Sequence, residues 1–269
     1  MEYMEPFEKL NRDLKKAAST LSKREVRFLV DNYYTMQGNR IRGAAQVREM
    51  TETGEPHEIL AWYSNQFRIF EDEVKKALDA YSRSTEIGQW LRSICGIGPV
   101  IAAGLIAFVD IEKADSAGKI WQYAGLNPNQ EWKKGETMPW NARLKTLCWK
   151  IGESFVKVSA NKNDVYGKVY VARKELEISR NEALEFREQA TAKLAKFKIG
   201  KDTEAFKWYS VGKLPPAHIH ARAKRYAVKL FLAHFHEVYY EITFGKKPPA
   251  PYPIAILGHK DRINPPNWK

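Results

Sequence analysis

Backbone N–H groups can hold a phosphate where a chain turns tightly into a helix, and ICGIGPVIAAGL, residues 94–105, has the composition for such a turn. Gly96 and Gly98 bracket one apolar residue, Ile97. Pro99 follows, suited to the first helical position, where a missing N–H is tolerated. A helix, a G-x-G hairpin and a second helix make the helix-hairpin-helix pattern. Leu91 and Ile94 pack the entering helix, Ile97 pins the hairpin to the core, and Ala102, Ala103 and Gly104 allow close helix packing. N–H groups around Gly96, Gly98, Val100 and Ile101 are expected to face outward, with Ser93 and Cys95 beside them. Such a site reads backbone and not bases. The structural alternative is a helical corner that needed glycines. Helix-hairpin-helix units act in pairs and one is visible, which calls for a dimer or a second contact.

Three further groups of residues could do chemistry. Trp132, Lys133, Lys134, Trp140, Arg143, Lys145 and Trp149 interleave rings with cations, as surfaces that stack exposed bases do. Trp140 and Trp149 suit a core at least as well; Trp132, between polar neighbours, is the better candidate. His220, Arg222, Lys224, Arg225 and Lys229 fall on one helix face opposite Tyr226, Leu230, Ala233 and Val238, and phosphate contact is the expected role of that basic face. The two His-x-His pairs, His218/His220 and His234/His236, cannot share one zinc, because His218 and His236 lie about 27 Å apart along a helix. Asp110, Glu112 and Asp115 could hold a metal, but such clusters more often cap helices, so neither metal nor cofactor is expected.

Positioning these groups falls to a chain of 269 residues, 44% hydrophobic and 12% aromatic, long enough for a sizeable core. Two cysteines, Cys95 and Cys148, exclude a disulfide framework or a zinc pattern and fit a reducing cytoplasm. No apolar run approaches the ~18 residues of a membrane span, and the acidic start MEYMEPFEKLNRD is not a signal peptide. Positive charge is concentrated late. Residues 1–130 carry 17 Lys and Arg against 18 Asp and Glu, whereas residues 187–269 carry 16 against 6. That skew suits a surface that neutralises phosphates.

Apolar spacing of three and four predicts helices throughout and no strands, an all-α fold. The first ends near Leu21, and Ser22 with Glu25 forms a capping box for the next. Residues 38–56, polar and glycine-bearing, are expected to hold a loop. Helices follow over 57–82, 85–94, 99–108, 117–123 and 141–158, with a Gly-, Pro- and Asn-rich loop over 125–140. Residues 163–198 are expected to form one long helix with a partial heptad through Val165, Val169, Ala172, Leu176, Ala183, Phe186, Ala190 and Leu194. Core packing and a coiled coil between two chains explain that stripe equally well. A last helix spans 214–244, before a proline-rich tail expected to run extended. The expected organisation is a helical region over 1–87, a helix-hairpin-helix domain over 88–160, the long and basic helices over 161–248, and a tail over 249–269.

Residues 88–128 resemble the C-terminal domain of transposases of the insertion-sequence-110 family, the Piv/MooV group. The shared run is G-I-G at 96–98, an alanine-rich helix at 102–107, Asp110–Ile111, an alanine-bearing helix at Ala117, and aromatic-x-G-L-x-P at 123–128. AHIHARAKRYAVKLFLAHFHEVYY, residues 217–240, resembles the basic closing helix of that family more weakly. The resemblance implies DNA as partner. The family also carries a RuvC-like nuclease half with four acidic metal ligands, and a serine nucleophile beyond G-L-x-P. Residues 1–87 are too short for that half and read as helices. Residues 126–153 contain no serine: Asn129, Gln130, Glu131 and Trp132 begin that loop, and Thr137 and Thr146 are weak substitutes. The expectation is a non-catalytic, sequence-independent DNA-binding homodimer that prefers branched DNA such as a Holliday junction. The alternatives are a minimal recombinase or junction-cleaving enzyme using Asp110, Glu112 and Asp115, and a protein-interaction module built on residues 163–198.

Overall fold

Side-chain caps mark where the helices begin. The computed structural model describes residues 9–54, 58–127, 130–249 and 262–268, and these are helical with no strand. Asn11 accepts from Leu14 N–H at 2.9 Å and opens α1 (Arg12–Ala18). Ser22 opens α2 (Lys23–Glu52) by the expected capping box: Glu25 N–H donates to Ser22 Oγ at 3.3 Å, and Ser22 N–H donates to Glu25 Oε2 at 2.7 Å. The loop expected over 38–56 is instead helical as far as Glu52. Gly38 and Gly43 cost about 1 kcal/mol each inside a helix. Pairing with α3 (Glu58–Arg83) offsets that: Arg40 grips Glu71 at 2.7 and 3.3 Å, and Gln37 reaches the same carboxylate at 3.3 Å. His57 and Pro128, read above as parts of elements, lie outside the described residues.

The chain divides into two compact units. The first comprises Met1–Ser93, Ile97–Ala114 and Ile242–Gly245. It holds α1, α2, α3, α4 (Glu86–Ser93), α5 (Pro99–Phe108) and a single 3-10 turn at Ile111–Lys113. Every residue of α5 from Val100 to Phe108 is buried, and α5 packs on α2, α3 and α4. A helix apolar on all sides belongs at the centre of a unit. Arg27 Nε donates to Ala107 O at 3.0 Å and ties α2 to the end of α5.

The second unit comprises Ile94–Gly96, Asp115–Glu241 and Lys246–Lys269. It holds α6 (Ala117–Tyr123), α7 (Ala142–Val158), α8 (Tyr166–Glu182), α9 (Arg187–Lys196), α10 (Glu204–Ser210) and most of α11 (Pro216–Phe244). Its centre is a ring cluster: Phe155 stacks on Tyr166 at 5.0 Å, and Phe231 meets both edge-on at 5.4 and 5.2 Å. Burying rings of this size contributes roughly 2–3 kcal/mol each.

The single helix expected over 163–198 is two helices, α8 and α9, joined by a turn. Leu184 adopts a left-handed φ of 61°, and Glu185 N–H donates back to Arg180 O at 3.0 Å. A branched residue there is strained. The turn is held because it inserts Phe186 into a core with Ala190, Leu214 and Ile219. Asn181 secures it further, donating to Leu214 O at 3.0 Å and accepting from Leu214 N–H at 2.8 Å. Within α8 the expected heptad is one residue out of register, whereas Phe186 and Ala190 are buried as it predicts. Leu176 is exposed, and α8 buries Tyr166, Tyr170, Glu177 and Asn181. Helix α10, started by Thr203, falls in a stretch where no helix was expected.

Most of the proline-rich tail, residues 250–261, lies outside the described residues. Residues 262–268 return to α11: Arg262 pairs with Glu237 at 2.5 Å and Trp268 Nε1 donates to Glu241 at 2.9 Å. His234 Nε2 donates to Ile263 O at 2.8 Å, so its Nδ1 must accept the Tyr166 hydroxyl, also at 2.8 Å. Among the described residues no helix is long and apolar enough to cross a membrane.

Burial holds the His234 imidazole neutral, with a pKa of about 4 against 6.5. The unfolded chain therefore binds a proton at a pH where the folded chain does not. Stability is full above pH 6.5 and falls by about 3 kcal/mol as the pH drops toward 4. Urea titrations across that range are expected to show this slope in the wild type and a flatter one in His234→Gln.

Candidate nucleic-acid interface

Of the two hairpin glycines, the backbone requires one. Gly96 has φ +89°, and a Cβ there would stand 3.1 Å from Val158 and 3.3 Å from Phe155 and Ser154, all on α7. Ser154 Oγ donates to Gly96 O at 2.5 Å. Gly98 has an ordinary φ of −83°, and a Cβ on it would meet open space. Ile97 is buried as expected, and Arg92, paired with Asp79 at 3.1 Å, donates to Ile97 O at 2.6 Å. The hairpin carbonyls of Gly96 and Ile97 are thus occupied. The N–H groups of Val100 and Ile101 find no acceptor among the described residues. Both side chains are buried, so these residues can contact a ligand through the backbone alone. Ser93 is exposed, with its hydroxyl donating to Trp90 O at 2.7 Å. Burial, with the Asp164 charge adding to it, raises the Cys95 thiol pKa, which disfavours a thiolate role.

Within the second unit, two adjoining cavities lie against Gly125 and Leu126. The first, about 300 Å³, is walled by α7 at Lys145, Cys148, Trp149 and Gly152, and by α11 at Lys224, Arg225 and Val228. Spacings of three and four put each set on one helix face. Gly152 sets how close α11 comes: a Cβ there would lie 3.3 Å from Val228 Cγ2. Gly125, at φ +64°, accepts the Trp140 ring against it, and Lys145 Nζ sits 4.0 Å over that ring. Asn141, whose side chain caps Leu144 N–H at 2.9 Å, begins α7 and so aims Lys145 and Trp149. The second cavity, about 340 Å³, is lined by Asn127, by Arg173 and Glu177 of α8, and by Arg222, Arg225 and Lys229 of α11.

Charge in the second cavity is only partly balanced. Glu177 is 1% exposed and takes both Arg173 at 2.5 Å and Arg222 at 2.7 Å. Burial raises its carboxyl pKa, but the hydrogen bonds from Arg222 and Arg173 outweigh that and leave it lowered. Arg173 also lies 4.5 Å over the Tyr226 ring, and Arg222 lies 4.4 Å over Phe186. Arg225 and Lys229 have no carboxylate partner among the described residues. Burial lowers the pKa of each; Arg222 lowers Arg225 further, and Arg225 lowers Lys229 further. Lys229 Nζ is 4.3 Å over the Trp121 ring, a contact that holds its stem without neutralising it.

The expected basic face of α11 is therefore divided. Arg222, Arg225 and Lys229 line the second cavity, and Lys224 lines the first while pairing with Glu153. His220 shares its Nδ1 with the Tyr170 hydroxyl at 2.8 Å. Tyr226, assigned to the apolar face from sequence, is 43% exposed beside the cavity. Trp149, as well suited to a core by its spacing, is instead 56% exposed, with Lys224 and Lys150 at 5.7 and 5.5 Å from its ring. Trp132 is 43% exposed and donates to Glu136 O at 2.7 Å, which folds Lys133 and Lys134 into a small loop of their own. Arg143 is exposed on the first turn of α7. Asp110 pairs with Lys113 at 3.3 Å, and no group of three or more His, Cys, Asp or Glu among the described residues is arranged to hold a metal ion. Arg173, Glu177 and Trp121 were not expected at the site. The i,i+4 spacing of Arg173 and Glu177 was the one signal available for that pair.

Residues 88–137 match the model of the transposase IS116/IS110/IS902 family. No curated protein and no solved structure matches the chain. The transposase-like segment runs from α4 through the hairpin, α5 and α6 to the loop after Gly125 and Leu126. It thus contains both the N–H groups that lack an acceptor among the described residues and the loop that lies against the two cavities.

Removing one partner of a buried ion pair strands the others, at a cost of about 3 kcal/mol. Glu177→Gln is expected to lose that much stability at pH 7 in chemical denaturation. The Glu177 contribution is fully present above the ordinary carboxylate pKa of 4.5 and is lost as the pH falls through its own lower value. The gap between wild type and variant should therefore close in acid.

Proposed function

We propose that the protein binds DNA through backbone phosphates without cutting it, and prefers branched DNA such as a four-way junction. One observation supports this best. Arg225 and Lys229, neither with a carboxylate partner among the described residues, face the Gly125–Leu126 loop of the transposase-like segment. Desolvated cations crowded by other cations gain most from an anion brought between them. A phosphate diester is the anion a transposase-related protein meets. The hairpin offers a second contact of the same chemistry through Val100 and Ile101 N–H. Both contacts ignore sequence. The absence of serine from residues 126–153 supports binding without strand transfer.

The preference for branches requires two copies, whose hairpins would be related by a two-fold axis as junction arms are. Trp62 and Tyr63 of α3 are 50% and 51% exposed, adjacent large rings of the kind that interfaces cover.

Mobility-shift titrations at two salt concentrations, with magnesium, compare a four-way junction, a duplex and a single strand. Tightest binding to the intact junction is expected. Gly98→Glu places a carboxylate in open space beside the hairpin N–H groups and should weaken binding at least tenfold without unfolding the chain. Arg225→Ala should weaken binding to all three and lower the slope of log affinity against log salt by about 1. Cleaved junction would overturn the non-catalytic assignment. Weak, equal binding that ignores both variants would overturn the DNA assignment. Sedimentation equilibrium should show a dimer, converted to monomer with unchanged helix content by Trp62→Glu combined with Tyr63→Ser.

A further inference from the structure

The two cavities differ in chemistry as well as position. The first has an apolar floor, made by Leu126, Cys148 and Val228, and one exposed aromatic wall, Trp149. The second is a nest of guanidinium and ammonium groups. They share Gly125, Leu126 and Arg225, so one ligand can occupy both at once. A volume of about 300 Å³ in the first is at the small end for ligand sites and suits a single flat ring system. Phosphate contact alone explains the second cavity. It does not explain an indole left 56% exposed beside an apolar floor, with cations on its ring.

We propose that the cavities form one site for a single unpaired nucleotide of a DNA strand, its base against Trp149 and its phosphate on Arg225 and Lys229. A base within a duplex is stacked on both faces and cannot enter. A base at a bulge, a junction centre or a frayed end can. The site rests on the DNA-binding function proposed above and adds to it a base-dependent, sequence-tolerant contact, because every base offers a π face. Lys145 and Lys224 also line the first cavity, Lys224 paired with Glu153 and Lys145 over the Trp140 ring. Arg225, on the shared wall, is where base and phosphate portions meet.

Fluorescence anisotropy on the full chain tests the site with three labelled duplexes: one perfect, one with a single bulged nucleotide, and one with that nucleotide made abasic. The bulged duplex is expected to bind about tenfold tighter than its abasic counterpart, the range of one stacked base. Trp149→Ala should erase that difference by lowering bulged-duplex affinity to that of the abasic duplex, and Trp149→Phe should restore part of it. A free nucleoside monophosphate, the same chemistry from another source, should displace the bulged strand only at concentrations far above the strand's own Kd. If it displaces the strand at equal concentration, the ligand is a free nucleotide and the strand assignment fails. Equal binding to bulged and abasic duplexes, with the steep salt dependence intact, overturns the nucleotide site and leaves DNA binding standing. Loss of affinity for all three in Trp149→Ala overturns it as well, by making Trp149 a structural residue. Failure to bind any of the three overturns both proposals.

Discussion

A carboxylate buried between two guanidiniums organises the second unit. Glu177 could not be 1% exposed on α8 without Arg173 and Arg222, because an isolated buried charge costs far more than one helix contributes. Satisfying it draws α11 against α8 and uses up two of the cations that face the Gly125–Leu126 loop. What remains, Arg225 and Lys229, is positive charge with no carboxylate partner among the described residues. The fold and the binding surface follow from the same pairing: one acid is enough to join the helices and too few to neutralise them.

The hairpin shows a similar division of labour between partners that hold and groups left open. Its carbonyls at Gly96 and Ile97 are held by Ser154 and Arg92, and Arg92 is itself set by Asp79. Fixing the carbonyl side fixes the peptide planes, and with them the direction of the N–H groups that follow. Gly96 is the residue with no substitute, since its φ is left-handed and α7 crowds it. Gly98 leaves space that a ligand can use.

Much of this was legible in the residues themselves. The Ser22–Glu25 capping box and Pro99 announced helix starts, and the structure places them there. Legibility failed where tertiary partners decide. Residues 38–52 have loop composition, yet Glu71 on another helix reads Gln37 and Arg40 and keeps them helical. The buried face of α8 consists of Tyr166, Tyr170, Glu177 and Asn181, so an apolar stripe could not reveal it; each is satisfied by a residue far along the chain. The end of α8 carries leucine where a glycine would have signalled the stop, and the reason, a home for Phe186, lies in Leu214 and Ile219. The site was half visible. Its cations on α11 stood out as a face, while the spacing of Trp149 suits a core at least as well as a surface that stacks bases.

The two units are interleaved in the chain: Ile94–Gly96 belong to the second although the first surrounds them in sequence, and Ile242–Gly245 belong to the first although the second surrounds them. Neither unit is therefore encoded by one uninterrupted stretch of gene. A single crossover that carried residues 1–114 into another protein would leave behind the end of α11 that completes the first unit. A transfer beginning at Asp115 would lose Ile94–Gly96, and with them the glycine that packs on α7.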